Sequence, residues 1–400
     1  MTDVCHSIHT FNQHREPERL AMKYRNMRTS PFVFFRASCH LFYERFSTQV
    51  TVDASPLVWS VGDLHLENFG SYKGDNRLAY FDLNDFDEAV LAPPEWDIVR
   101  FISSLRVGAK SMGIGSEDAD TLVSDFLKKY QSILAKGKSH WIERETSTGL
   151  IRNLLTSLKY RKRSDFLDKR TLFKADQRRL RIDGEKALKA SPQQQTLVKK
   201  FLREFAKTQP DKKFFQPLDI ARRVAGNGSL GIERYIILVN GKGNPDGNYL
   251  LDLKEATPSS LLPFLPVSQP TWDSEAHRVV TLQNRMQAVS MAFLQPVTIG
   301  EKSYVLRALQ PSEDRVLLDH SISTLKELKG VIETMAVTIA SAQLRSSGRQ
   351  GSANADELVQ FAFQKNWIKK MMAASRESAK QVNKDWKLFC AAYDDGDFKC

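Results

Sequence analysis

Cysteine is scarce in this chain. Cys5, Cys39, Cys390 and Cys400 are the only four in 400 residues, and they lie near the two ends without metal-ligand spacing. That excludes a disulfide-stapled scaffold and a cysteine-ligated zinc module, and it fits free thiols in a reducing compartment. Chain ends can meet in space, so Cys39 and Cys390 could touch, but the spacing does not require it. Long apolar runs are missing as well. No stretch reaches the length of a membrane span, and the opening MTDVCHSIHTFNQHREPERL lacks a signal-peptide core. No membrane partner and a cytoplasmic location are therefore expected. Acid is short relative to base, with 47 Asp and Glu against 58 Lys and Arg and a net charge of +11. Basic residues crowd Lys159–Arg163 and Arg178–Arg181. Such an excess attracts polyanions. No nucleic-acid motif accompanies the runs, so both are expected to be solvated helix faces.

What the chain does have is concentrated between Val58 and Asp97. Val58–Val61 reads as a strand running into a polar turn that carries Gly62, Asp63, His65, Glu67 and Asn68. A second strand, Leu78–Phe81, ends in a burst of acids: Asp82, Asp85, Asp87 and Glu88. Two strand ends thus present oxygen donors at loops. Hard cations such as Mg²⁺ take oxygen ligands, commonly one or two carboxylates plus substrate phosphates. A neighbouring Asp free of metal duty could take a proton from an attacking hydroxyl. Acids at strand ends are also common in plain solvated turns, and one such loop alone would not decide between the two.

The stretch Gly62-Asp63-Leu64-His65-Leu66-Glu67-Asn68 resembles the catalytic loop of aminoglycoside phosphotransferases and their kinase-like relatives. Asp85-Phe86-Asp87-Glu88-Ala89 is similar to their metal-binding strand end, and Pro94-Glu95-Trp96-Asp97-Ile98 to the helix start whose Asp buttresses the catalytic loop. The whole looks most like an uncharacterised bacterial family of that superfamily. The resemblance implies Asp63 as the base, with Asn68 and Asp85 as Mg²⁺ ligands. Asp82 stays open as an alternative to Asp85, which is the closer match.

The rest of the chain divides by pattern. Glu16 to about Ser47 reads as helical. It contains the apolar run Pro31–Arg36, in which Arg36 calls either for an acidic partner in the core or for a phosphate or carboxylate contact. Glu95–Lys110, a helix starting at Ser116, Leu150–Tyr160, Asp176–Ala190 and Gln193–Lys207 also read as helical, and the polar stretch from Arg161 to Gln177 as a loop. Near Phe214 the period changes to two. Leu218–Ala225 and Ile232–Val239 read as strands around Gly226-Asn227-Gly228-Ser229-Leu230-Gly231. A dinucleotide fingerprint must open a helix, whereas strand, Gly-rich turn, strand is the kinase arrangement over ATP phosphates. Asn240–Gly247 connects to Tyr249–Ala256, which resembles the kinase strand of the phosphate-gripping Lys, here Lys254. A helix follows over Asp273–Ala292. Its Glu275 is the candidate partner of Lys254, a departure from the protein-kinase pattern because the helix interior offers only Gln283 and Gln287. Strands at Gln295–Ile299 and Ser303–Leu309, a hinge at Leu309-Gln310-Pro311, and helices over Ser323–Leu344 and Asp356–Tyr393 complete the chain.

The catalytic loop precedes the Gly-rich loop, the reverse of the kinase order. The resemblance therefore implies an α+β, two-lobed, kinase-like fold that is circularly permuted, which is tolerable because domain termini often lie close together. Residues 1–213 and 312–400 would form one helical lobe, and 214–311 a small antiparallel nucleotide-binding lobe. The function implied is ATP- and Mg²⁺-dependent transfer of phosphate to a hydroxyl of an unidentified small molecule or protein. Gly226, Gly228, Ser229, Gly231 and Lys254 would hold the nucleotide. Two other readings stand beside it: a nucleotide-binding regulatory module without turnover, and a basic nucleic-acid-binding protein.

Overall fold

Proline and capping residues set the breaks at the start of the chain. In the computed structural model, which describes residues 3–46, 55–310, 315, 316, 318 and 324–399, α1 (Val4–Asn12) is followed by α2 (Pro17–Met27), α3 (Pro31–Ala37) and α4 (Cys39–Phe46). Pro17 and Pro31 open their helices, where a missing N–H costs nothing. Glu16 and the Ser30 hydroxyl accept the exposed N–H groups of Arg19 and Val33. The strand-and-acid stretch forms two antiparallel pairs: β1 (Val58–Ser60) with β4 (Val90–Ala92), and β2 (Phe69–Lys73) with β3 (Ala79–Leu83). Helices α5 (Pro94–Gly108), α6 (Ser116–Leu134), α7 (Gly149–Lys159) and α8 (Arg163–Asp168) come next. After them lie the hairpin β5 (Thr171–Lys174)–β6 (Gln177–Leu180), the strand β7 (Ala187–Lys189) and helix α9 (Pro192–Lys207).

The period-two region is a sheet. Strands β8 (Pro217–Arg223), β9 (Arg234–Val239) and β10 (Tyr249–Glu255) are followed by α10 (Glu275–Met286), β11 (Gln295–Ile299) and β12 (Lys302–Ala308). The strands join with β7 in the antiparallel order β11-β12-β10-β9-β8-β7. Alternation gives the sheet two unlike faces. Ile237, Leu251, Leu253 and Leu306 pack with Val198 and Leu202 of α9, each such side chain stabilising by roughly 1.5–3 kcal/mol. The opposite face carries Arg234, Asp252 and Lys254, all buried.

Three helices close the chain: α11 (Leu325–Ser346), α12 (Ala355–Phe361) and α13 (Trp367–Asp395). Although they follow the sheet, α11 packs along α6 and α13 along α5, and Val331, Ile332 and Met335 share one core with Ile98, Phe101 and Phe126. The fold is thus α+β, with the sheet inserted between helical segments of a common core. Among the described residues no helix is long and apolar enough to cross a membrane.

Several expectations need correction. Asp176–Ala190 is not helical but holds β6 and β7, and the expected loop from Arg161 to Gln177 contains α8 and β5. The hairpin turn has positive φ at both Ala175 and Asp176, a two-residue turn usually signalled by Asn-Gly and hidden here by Ala-Asp. The strand is fixed by a cation rather than by apolar period: Arg178, 2% exposed, donates to Asp168, Thr171, the Pro245 carbonyl and Asp246. The Arg178–Arg181 run is therefore no solvated helix face. The helix expected over Asp356–Tyr393 is broken between Phe361 and Trp367, where Asn366 takes φ +62°. β7 and its neighbour α9 belong with the sheet although they precede Phe214. Cys5, Cys39 and Cys390 are free. Ser47, the Pro311 end of the expected hinge, the boundary at 312, Ser323 and Cys400 lie outside the described residues.

Candidate active site

The Asp63 loop is held from below by α5. Asp97, in its first turn, accepts the N–H groups of Val61 (2.7 Å) and Gly62 (2.9 Å). Burial pushes the Asp97 carboxyl up to about 7 despite those two bonds. Gly62 has φ +81°, and any side chain there would collide with the Glu88 carbonyl, so only glycine fits. Arg100, one turn further along α5 and fully buried, donates twice to Asp63 Oδ1 (2.9 and 2.5 Å) while lying over the Phe35 ring. Asp63 thus has one oxygen fixed, and it lines the cleft.

Asn68 ties the two acidic loops together. Its Nδ2 donates to the carbonyls of Asp63 (3.1 Å) and Asp85 (3.2 Å), and its Oδ1 accepts the Asp85 N–H (2.8 Å). Asn68 is therefore bonded to the Asp85 backbone, with its amide oxygen engaged there. Asp82 and Asp85 differ in direction. Asp82 is 2% exposed and accepts from the Ala288 N–H (3.0 Å) and Arg345 (3.2 Å), a packing role. Asp85 lines the cleft with a side chain 52% exposed. His65 is buried, and burial together with Arg36, Arg100 and Arg315 keeps its pKa well below the usual value. It stays neutral and accepts the Glu67 N–H at Nδ1.

Lys254 reaches these loops from β10. Its ammonium pairs directly with Asp87 and lies 3.8 Å from Asp85. Burial opposes ionisation of both acids. For Asp85 the nearby charges of Lys254, Arg307 and Arg234 outweigh burial and hold its pKa low, while Asp87, beside the Asp85 charge, is pushed up. Glu275 is not the partner of Lys254, and the structure corrects that assignment. It binds Arg278 on its own helix (2.7 Å). Arg278 instead holds the acidic loop, donating to the carbonyls of Asp87 (2.7 Å), Ala89 (2.6 Å) and Thr257 (3.1 Å).

The Gly226–Gly231 turn lies over Asp63. A Cβ on Gly228 would stand 3.1 Å from the Arg36 carbonyl and 3.8 Å from Asp63 Oδ2. The carbonyls of the turn are gripped from the N-terminal helices. Arg15 donates to Gly228 (2.5 Å) and Leu230 (2.8 Å), and the fully buried Lys23 donates to Gly228 (3.3 Å). Gly226, Gly228, Ser229 and Gly231 all line the cleft, although the Ser229 hydroxyl turns back onto its own loop. Arg36 pairs with Glu67 (2.6 Å), which Arg315 also holds (2.7 Å); the acidic partner lies at the cleft, 40% exposed, and not in the core.

The roof of the cleft is charged. Arg234 (2.6 Å), Arg223 (2.8 Å) and Arg307 (3.4 Å) all converge on the buried Asp252, whose pKa they hold well down against burial. Burial lowers Arg223 to about 10. Three guanidinium groups on one carboxylate leave a local cationic surplus at one side of a cleft of about 910 Å³ that acids, among them Asp63, Asp85, Asp87 and Glu88, also line. Sequence reasoning missed this cluster, together with Arg100 and Arg278. The available signal was alternation: Arg234 and Asp252 sit in phase with Lys254 on otherwise apolar strands. The arrangement can hold phosphates under the roof, a cation at the Asp85 end, and a hydroxyl beside Asp63.

The chain belongs to a family described as an uncharacterized protein conserved in bacteria (DUF2252), whose model matches residues 15–392. No curated protein and no solved structure matches it significantly.

Proposed function

We propose that this protein is an ATP- and Mg²⁺-dependent phosphotransferase on a circularly permuted kinase-like fold, acting on a hydroxyl of a small molecule or protein. One observation carries the reading: Asp63, Asp85, Asp87 and the Gly226–Gly231 turn line a single cleft, and the buried Lys254, 167 positions from Asp87 in sequence, reaches its wall by pairing with Asp87. The order of elements supports it too. Strand, Gly-rich turn, strand, Lys-bearing strand, helix and two strands follow one another, and the chain then returns to the helical core it left.

The residues fit a hard cation. Asp85 is half exposed, Asp87 stands beside it, and Asn68 fixes the distance between their loop and Asp63. Among the described residues no three His, Cys, Asp or Glu side chains form an ion-holding group, but Mg²⁺ usually takes only one or two protein carboxylates and completes its shell with water and phosphates. When bound it would neutralise charge on the transferred phosphoryl group. Asp63, with one oxygen fixed by Arg100, orients the acceptor hydroxyl at the other, which suffices where catalysis is mainly positioning and charge neutralisation. Lys254 exchanges Asp87 for phosphate oxygens. The Arg223–Arg234–Arg307 roof favours phosphates rather than a nucleobase above them, since a base prefers apolar walls.

Thermal denaturation with and without ATP and Mg²⁺, followed by ATP consumption against a metabolite panel, tests the proposal. A raised Tm with ATP and Mg²⁺ together is expected, and an unmoved Tm at millimolar nucleotide would sink it. The grip of Arg100 on Asp63 also suits a module that binds nucleotide without turnover, and persistent binding without consumption on any acceptor would favour that reading.

A further inference from the structure

A second cleft, of about 650 Å³, lies between the β2–β3 hairpin, the α7–α8 segment and the ends of β10 and β12. It shares Gln310 with the Asp63 cleft. Its walls are apolar and partly aromatic, with Tyr72, Leu155, Phe166, Tyr249 and Met291 among them. Leu78 at its mouth is 57% exposed. Its rim carries Lys73, Arg77, Lys159, Lys162 and Arg163, and none of these five makes an ion pair with an acid among the described residues. Two acids also line it, Glu143 and Glu145, and Glu145 is taken up by Arg144 and Arg152.

The two features select together. Apolar walls alone would take a neutral molecule, and a cationic face alone would attract any anion. Unpaired cations around an aromatic floor favour an anion with a flat apolar body, its ring against Tyr249 and its charge on the rim. Arg163 already lies over the Tyr249 ring, 5.4 Å from its centroid. We propose that this cleft is a second binding site, for a phosphate-bearing small molecule with a flat apolar body. Ligand there would press on Gln310, whose amide donates to the Ser71 carbonyl (2.8 Å) and whose carbonyl accepts from Arg223 of the charged roof (3.0 Å).

Lys73 supplies the reporter. Burial and the charges of Arg163, Arg77 and Lys242 hold its ammonium below the usual lysine range, so more of it is neutral amine. Pyridoxal 5′-phosphate is a flat phosphate ester whose aldehyde reacts with such an amine. Lys73 Nζ adds to the carbonyl carbon, water leaves, and added borohydride reduces the C=N bond to a stable secondary amine. Peptide mapping should place the label preferentially on Lys73. Phenyl phosphate should protect it at about tenfold lower concentration than inorganic phosphate, because the ring buries apolar surface. The exposed pair Arg77→Glu and Arg163→Glu should abolish the preference without moving the Tm. Label spread evenly over surface lysines would overturn the proposal. So would phenyl phosphate protecting no better than inorganic phosphate, the mark of a merely positive face, or an RNA oligomer protecting better than either.

Discussion

Replacing Lys254 separates nucleotide binding from transfer. In the folded protein its ammonium stands between Asp87 and Asp85, with side chains 28% and 52% exposed. Breaking a fully buried ion pair from one side costs about 3–5 kcal/mol. These acids are partly solvated, so Lys254→Ala should lower unfolding free energy by only about 1–2 kcal/mol after screening. Toward the nucleotide the loss is of a charge-assisted hydrogen bond, about 1.5–3 kcal/mol, which corresponds to ATP affinity weakened about 10- to 150-fold. Asp63 should behave oppositely. Asp63→Ala leaves Arg100 buried without its carboxylate, so Asp63→Asn, whose carbonyl can still accept from Arg100, is the safer variant. It should keep ATP affinity within about threefold and reduce transfer about 10²- to 10⁴-fold, because Asp63 serves the acceptor. Calorimetric titration with ATP and Mg²⁺ gives affinity, product formation gives transfer, and urea unfolding reports whether either variant is merely unfolded. Equal loss of affinity in both variants, with both folded, would refute the division of roles and make Asp63 a nucleotide or metal ligand.

Other outcomes follow from the same geometry. Arg278→Ala removes three bonds to the carbonyls of Asp87, Ala89 and Thr257 and should cost about 2–4 kcal/mol in urea unfolding, whereas Glu275→Gln should leave ATP affinity unchanged in the same titrations. Because the roof offers guanidinium groups in place of apolar walls, ATP, GTP and inorganic tripolyphosphate should bind within about fivefold of one another; a preference for one base of a hundredfold in competition titrations would contradict that. Asp97 makes stability depend on pH. Its folded pKa of about 7 lies above the ordinary carboxylate value, so the folded state holds the extra proton between the two, and the contribution is full below about pH 4 and lost as pH rises through 7. Asp97→Asn cannot ionise, so its unfolding free energy in urea should fall less steeply over that window, by on the order of 4 kcal/mol in the difference. Parallel curves for the two proteins would remove Asp97 as the cause.

Much of the site was legible because its parts are local in sequence. The run from Gly62 to Asn68 must turn tightly, present an Asp and close the turn with an amide, and all of that is written in seven consecutive residues. The Gly226–Gly231 turn was readable because strands flank it on both sides, which ruled out the dinucleotide alternative. What stayed hidden depends on tertiary direction. Asp82 and Asp85 look alike as letters, but the strand β3 sends the first inward against Arg345 and the loop turns the second toward the cleft. The partner of Lys254 was sought on the following helix, where the kinase pattern puts a carboxylate. Asp87 fills that place instead, and the helix contributes the opposite charge, Arg278, to backbone carbonyls. The hairpin β5–β6 was hidden for a related reason: its register is set by Arg178 and its turn by two residues of positive φ, neither of which leaves an apolar period to read. The misreading of that hairpin has a physical cause. Where a cation does the work of a hydrophobic residue, patterning by hydrophobicity assigns the segment to solvent. This chain does so repeatedly, with Arg100 under Asp63, Arg278 under the acidic loop, the three arginines over Asp252 and Arg178 in the hairpin. An excess of base that reads as surface charge is, at these positions, interior structure arranged around carboxylates and carbonyls. Around Asp252 it sets three guanidinium groups on one carboxylate, while Asp63, Asp85 and Asp87 line the same cleft, and the proposed function places phosphates between these two charged regions.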